Sequence, residues 1–304
     1  MRASLAQKRR SKGGDGVAPY TIIAKAALTP EDLSDIRELA ALCNQHDGID
    51  LKLNEDMLEH RPGNCTDDFL CYADGRLIGY LGLYCFHAGE AEVSGMVHPA
   101  YRRQGVFRQL QERAEEECRG RGIPQLLFIV QRESQSGKAF MEAIGASYRF
   151  SEYWMELGDV PQQTSVSSVE VKPAGREDRD TLVRLNVLGF HMDEEHAREM
   201  TAKIELASDR ETYLVMLGGE AVGKISVVKQ AEQAVVFGFC IHPDHRGRGY
   251  GRQALARTIR TLRDQGYGRV ALEVACENTR ALILYESCGF AVKSANDYYQ
   301  LPIT

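Results

Sequence analysis

Residues 242–251 read HPDHRGRGYG, and residues 98–107 read HPAYRRQGVF. The two strings lie 144 residues apart, and that offset holds without a gap well beyond them. It pairs Gly75 with Gly219, Gly79 with Gly223, His98 with His242 and Pro99 with Pro243. It also pairs Arg102 with Arg246, Gly105 with Gly249, Gly122 with Gly266, Glu142 with Glu286 and Gly145 with Gly289. The matched residues are mostly glycines, prolines and charges, which set turns and helix ends. An unbroken register of such residues marks a duplicated domain. Within the strings the copies diverge, because Phe107 stands where the second copy has Gly251.

A chain of 304 residues with this repeat is read as two domains of ordinary size. The reading divides it into a basic tail without fixed structure (1–17), a first domain (18–157), a linker (158–168) and a second domain (169–304). With 43% hydrophobic and 26% charged residues, the composition is that of a water-soluble globular protein. No apolar run approaches the roughly 20 residues that cross a bilayer, so no membrane partner is expected. The tail has five basic residues and one Asp, which leaves the rest of the chain near −10. That balance argues against duplex nucleic acid as the main partner. The tail lacks the apolar core of a secretory signal. The eight cysteines form no CxxC pair and no metal-ligand spacing. Reduced thiols, a cytoplasmic location and no metal are expected.

The second repeat shows its elements most clearly. VEVKPA (169–174) reads as a strand, and REDRDTLVRLNVLGF as a helix with Leu182, Leu185 and Leu188 on one face. TYLVML and AVGKISVVK flank Gly218 and Gly219 as a hairpin. AVVFGFCI (234–241) is an apolar strand that runs into His242 and Pro243. Tyr250, Ala254, Leu255, Ile259 and Leu262 then form a helix face, which Gly266 closes. RVALEVA (269–275) is a further strand, NTRALILYES (278–287) a short helix, and the C-terminal stretch a strand or pair of strands. A strand–helix–strand crossover within a largely antiparallel order predicts an α/β (α+β) fold with a mixed sheet flanked by helices.

The loop Arg246-Gly247-Arg248-Gly249-Tyr250-Gly251 joins an apolar strand to a helix. A helix N-terminus exposes unpaired N–H groups and carries partial positive charge, so it can hold phosphate. Glycines let an anion approach the backbone, and two arginines add charge. The loop is followed by a helix, a strand, and the residues Asn278, Ala281, Tyr285, Gly289 and Phe290. This order resembles the GCN5-related N-acetyltransferase (GNAT) family, in its tandem two-domain type with the second domain active. The resemblance implies two acyl-CoA N-acyltransferase-like domains and acetyl-CoA as cosubstrate. The pyrophosphate would lie on 246–251, and the pantetheine arm would pair with backbone at Phe239, Cys240 and Ile241. Asn278 and Ala281 would complete the cofactor site.

A lysine-like amine is neutral in only about 4 of 10,000 molecules at pH 7, so a base helps it attack the thioester. Glu273 stands 12 residues before Tyr285. The pairing is similar to the glutamate base and tyrosine acid of ribosomal-protein alanine acetyltransferases. His98 and His242, each before a proline, are assigned turn roles, and His191, His196 and the run 193–196 a solvated helix. In the first repeat, Ser134 stands at the Asn278 position and Met141 at the Tyr285 position. Methionine has no proton to donate. Arg102, Arg103, Gln104, Gly105 and Val106 therefore form a second, degenerate cradle that retains a means of holding CoA, with Phe107 packing on the helix face. The expected activity is acetyl transfer to a primary amine of a small molecule or peptide. The alternatives are a non-catalytic acyl-CoA-binding sensor or scaffold, and a protein or peptide N-terminal acetyltransferase.

Overall fold

The computed structural model describes residues 20–158 and 167–303. The expected tail and most of the expected linker lie outside them. Chain order begins with β1 (Tyr20–Lys25), α1 (Pro30–Asp47), α2 (Glu55–Glu59), β2 (Asp68–Ala73), β3 (Arg76–His87) and β4 (Glu90–Val97). Then follow α3 (Val106–Gly120), β5 (Gln125–Gln131), α4 (Gln135–Ile144) and β6 (Ser147–Leu157). The same order repeats as β7 (Glu170–Pro173), α5 (Arg179–Phe190), α6 (Glu194–Leu206), β8 (Arg210–Leu217), β9 (Glu220–Lys229) and β10 (Gln233–Ile241). It closes with α7 (Tyr250–Asp264), β11 (Arg269–Ala275), α8 (Thr279–Glu286) and β12 (Phe290–Pro302).

In the first unit β1 to β4 pair antiparallel in sequence order, and β4 pairs parallel with β5 through Ala91–Val93. In the second, β7 to β10 do the same, and β10 pairs parallel with β11 through Gln233–Val236. Past these short parallel stretches the ladders end and the strands part. A helix makes each crossover, because a parallel pair cannot be closed by a hairpin.

Contacts divide the chain between Ser151 and Glu152 and again between Ala295 and Asn296. Both boundaries fall within long strands. Residues Asn296–Pro302 of β12 pair with β5 inside the first unit. Residues Glu152–Glu156 of β6 pair with β11 inside the second. The C-terminal stretch is thus one 13-residue strand, and its two halves sort into different units.

Each core has two sides. In the second unit Leu255, Ile259 and Leu262 of α7 join Val270, Leu272 and Val274 of β11, with Tyr285, Cys288 and Phe290. Leu182 and Leu185 of α5 pack on Leu214 and Cys240 from other positions of the sheet.

Candidate active site

The two loops match in their bonding, residue by residue. His98 N–H donates to Ile78 O and His242 N–H to Val222 O, each at 2.8 Å. Each histidine ring accepts the backbone N–H two residues on, that of Ala100 or Asp244. Both therefore cap short turns, the role expected of them. Arg102 Nε donates to Val97 O at 3.0 Å, and Arg246 Nε to Ile241 O at 2.8 Å. Gly105 and Gly249 have φ of 80° and 78° and stand as N-caps of α3 and α7. Only a glycine takes that left-handed geometry at no steric cost.

Neither α3 nor α7 has a side-chain cap. By contrast, Asn278 caps α8 through Ala281 N–H, and Asp193 caps α6 through His196 N–H. The first-turn N–H groups of α7 are left for an external acceptor. They open onto a cavity of about 1170 Å³ in the second unit. Phe239, Cys240, Ile241, Arg246, Gly247, Gly249, Tyr250, Gly251, Asn278, Ala281 and Tyr285 line it. Eleven of the residues singled out in the sequence thus meet at one place. Arg248 and Glu273 are not among the lining residues. Arg248 is exposed on the loop, and Glu273 is exposed on β11 one residue past the last parallel pair, Val236 with Leu272.

Tyr285 is 9% exposed, and burial, followed by the neighbouring Cys288, pushes its pKa up to about 12. The hydroxyl therefore keeps its proton at neutral pH. Sequence reasoning missed Gly189 and Phe190 at the end of α5, as well as His245, Arg252, Leu284 and Cys288. Gly189 had a signal in retrospect. A Cβ there would meet Cys240 Sγ at 2.6 Å, so only glycine lets α5 approach β10 so closely.

The family model described as acetyltransferase (GNAT) family matches residues 33–146 and 180–290. The chain belongs to the GNAT acetyltransferase family. A mycothiol acetyltransferase of Kytococcus sedentarius is 28% identical over 299 residues, covering 91% of this chain and 96% of that protein. The ribosomal protein bS18-alanine N-acetyltransferase of Escherichia coli is 29% identical over 105 residues, covering 33% of this chain and 71% of its own. A GCN5-related N-acetyltransferase of Sphaerobacter thermophilus has the same fold, with a TM-score of 0.78 at 21% identity and coverage of 93% and 96%. The chain is an acetyltransferase of tandem architecture, and acetyl-CoA with an amine acceptor are the family's reactants. Among the described residues no helix is long and apolar enough to cross a membrane.

The two copies of this GNAT acetyltransferase differ in three ways that bear on function. Met141 is buried in the first core where Tyr285 faces the cavity. Both guanidinium Nη atoms of Arg102 are bound at 2.8 Å by Asp47, whose carboxyl that arginine holds below its usual range. Arg246 instead reaches the Gly189 carbonyl at 3.2 Å, and the repeat places His191 opposite Asp47. The third difference explains Phe107. Its ring packs edge-on to Phe140 with centroids 4.9 Å apart, and a Cβ at Gly95 would lie 2.8 Å from it. In the second unit the sizes are exchanged, with Phe239 on the strand and Gly251 on the helix. A Cβ at Gly251 would meet Phe239 at 3.6 Å. The first copy thus fills the start of α3 with a phenyl group, and the second leaves the start of α7 bare.

Proposed function

We propose that the second unit carries the acetyltransferase reaction and that the first is non-catalytic. The observation that supports this most is the single cavity lined together by the uncapped N-terminus of α7, strand β10 and Tyr285. In this reading residues 246–251 hold the pyrophosphate of acetyl-CoA, with Arg246 and Arg248 supplying charge. Backbone at Phe239, Cys240 and Ile241 pairs with the pantetheine arm, and the side of α8 with Asn278 and Ala281 closes the site. The degenerate cradle of Arg102, Arg103, Gln104, Gly105 and Val106 is weakened as an anion site by the Asp47 carboxylate.

Chemically, the acceptor nitrogen bonds to the acetyl carbonyl carbon and the carbon–sulfur bond breaks. Glu273, at the parting of β10 and β11, takes the proton that the amine must lose. Tyr285 gives its proton to the departing sulfur. The acceptor is a primary amine of a small molecule or peptide. The full-length relative named for mycothiol and the shorter one named for the alanine of a ribosomal protein set two arms of the test.

The test measures thiol release from acetyl-CoA against small amines, polyamines, aminoglycosides, a mycothiol-type acceptor and alanine-terminated peptides. Release only in the presence of an acceptor, with an amide product, is the expected result. Binding of acetyl-CoA without turnover on any acceptor would return the protein to the sensor class.

The pH profile carries a second expectation. An acid must be protonated to act, and burial raises the pKa of Tyr285, so its loss of function moves to higher pH. With saturating acceptor, kcat at pH 10 should remain near its plateau, where an ordinary tyrosine would be about half ionised. A fall centred near or below pH 10 would exclude Tyr285 as the buried donor.

A further inference from the structure

A second cavity, of about 280 Å³, lies in the same unit between α5, α6 and the strands β8 and β9. Its volume is roughly that of nine waters, which suits a small molecule. Lys224 lines it and is 2% exposed. Among the described residues its ammonium has no hydrogen bond and no ion pair. The Phe190 ring centroid lies 5.6 Å from Nζ, and a Cβ at Gly238 would lie 3.2 Å from it. The thiol of Cys240 is a polar neighbour, and the hydroxyl of Ser226 lies 3.7 Å from the same Gly238 Cβ position. A buried, unpaired ammonium is costly. Burial pushes Lys224 toward its neutral form, a penalty that an arriving anion removes.

The cavity's own carboxylates do not answer that charge. Glu205 is bound by Arg179, and Glu211 by Lys229 and the Tyr213 hydroxyl. Both arginine and lysine partners stand outside the lining, whereas Arg176 and Arg210 stand within it. A second buried orphan in the cavity asks for a donor. Asn186, 1% exposed, donates from Nδ2 to Thr201 Oγ1 at 3.1 Å, and its Oδ1 has no partner. The Thr201 hydroxyl in turn donates to Ala197 O at 2.8 Å, which suits this orientation of the amide. Asn186 therefore offers a buried acceptor to a donor that the protein does not supply.

The cavity neighbours the larger one through Lys224. Lys224 on β9 is the register partner of Cys240 on β10, and Cys240 and Phe190 line the larger cavity. We propose that the smaller cavity holds the body of the acceptor and selects, through Lys224, an amine that carries a carboxylate, while the Asn186 carbonyl accepts an N–H or O–H elsewhere on the acceptor. The proposal rests on the assignment of acetyl transfer to the second unit. In the first unit Tyr80 takes the place of Lys224 by the repeat, is fully buried and donates to Asp68 at 2.7 Å, so no equivalent charge is presented there.

The test compares β-alanine, 4-aminobutanoate and glycylglycine, each against its carboxamide, in the full-length protein. The acids should exceed the carboxamides in kcat/KM by at least about 30-fold, as expected for a charge-assisted bond in a buried site. In Lys224→Met, which exchanges the cation for an apolar chain of similar size, that ratio should fall within about threefold. A wild-type preference for the carboxamides, or an undiminished ratio in Lys224→Met, overturns the proposal while leaving acetyl transfer itself standing. Calorimetric titration of the acids into CoA-loaded protein gives a readout independent of turnover. Binding that is lost in Lys224→Met supports the site, and no acid binding tighter than about 10 mM in the wild type overturns it. Thiol release on the wider amine panel judges the acetyltransferase assignment separately.

Discussion

Gly249→Asp should lower acetyl-CoA affinity by about 100-fold or more, equivalent to roughly 2.7 kcal/mol, whereas Gly105→Asp should leave turnover within about twofold. The repeat makes the two variants controls for one another. Both glycines are N-caps with φ near 80°, and neither has an atom within 4 Å of a Cβ. The backbone strain of a non-glycine residue in that region is about 1–2 kcal/mol and is common to both. An acidic residue at a helix N-terminus is otherwise favoured by the dipole, so each variant should fold. What differs is the proposed occupant. At position 249 the new carboxylate meets the pyrophosphate, and at 105 it meets a loop whose arginine is already neutralised by Asp47. The check is calorimetric binding of acetyl-CoA with steady-state kcat/KM on both variants. Equal losses at the two positions would place chemistry in the first unit as well, and no loss at 249 would remove the pyrophosphate from this loop.

Tyr285→Phe should reduce kcat by about 100-fold or more with acetyl-CoA affinity changed by less than about threefold. The substitution removes one oxygen from a residue that otherwise packs with Val274, Cys288 and Phe290. The Tyr285 hydroxyl makes no hydrogen bond to the protein among the described residues, so its removal strands no buried partner. The melting temperature should therefore stay within a few degrees of the wild type. A loss confined to kcat marks an interaction made only as the sulfur departs. A loss mainly in affinity would instead make Tyr285 a wall of the cofactor site, and full kcat would show that the thiolate leaves without this donor.

Both experiments probe residues that local sequence singles out. The duplication, the loop at 246–251 and the later Asn278–Tyr285 stretch all declare themselves through turn and cap chemistry. Positive φ, a proline after a strand and an uncapped helix start are short-range requirements, met within a few residues of chain. That is why the sequence boundaries of β11 and α8 agree closely with those observed, RVALEVA with Arg269–Ala275 and NTRALILYES with Thr279–Glu286.

Tertiary structure alone decided the rest, because it depends on which residues distant in the chain share a face. Phe107 is intelligible only once Gly95 is seen beneath it and Phe140 beside it. The exchanged sizes at 239 and 251 keep the packing of strand on helix while changing what is left open. The charge of Arg102 is answered from Asp47, 55 residues earlier. Pairing register, and no local signal, sends Glu152–Glu156 to β11 and Asn296–Pro302 to β5. Lys224 shows the limit most plainly. In AVGKISVVK it reads as a polar position of an alternating strand, and such a position is ordinarily solvated. Only the packing of α5 and α6 over that face of β9 shuts it from water, and so turns an ordinary lysine into a charge in need of a partner.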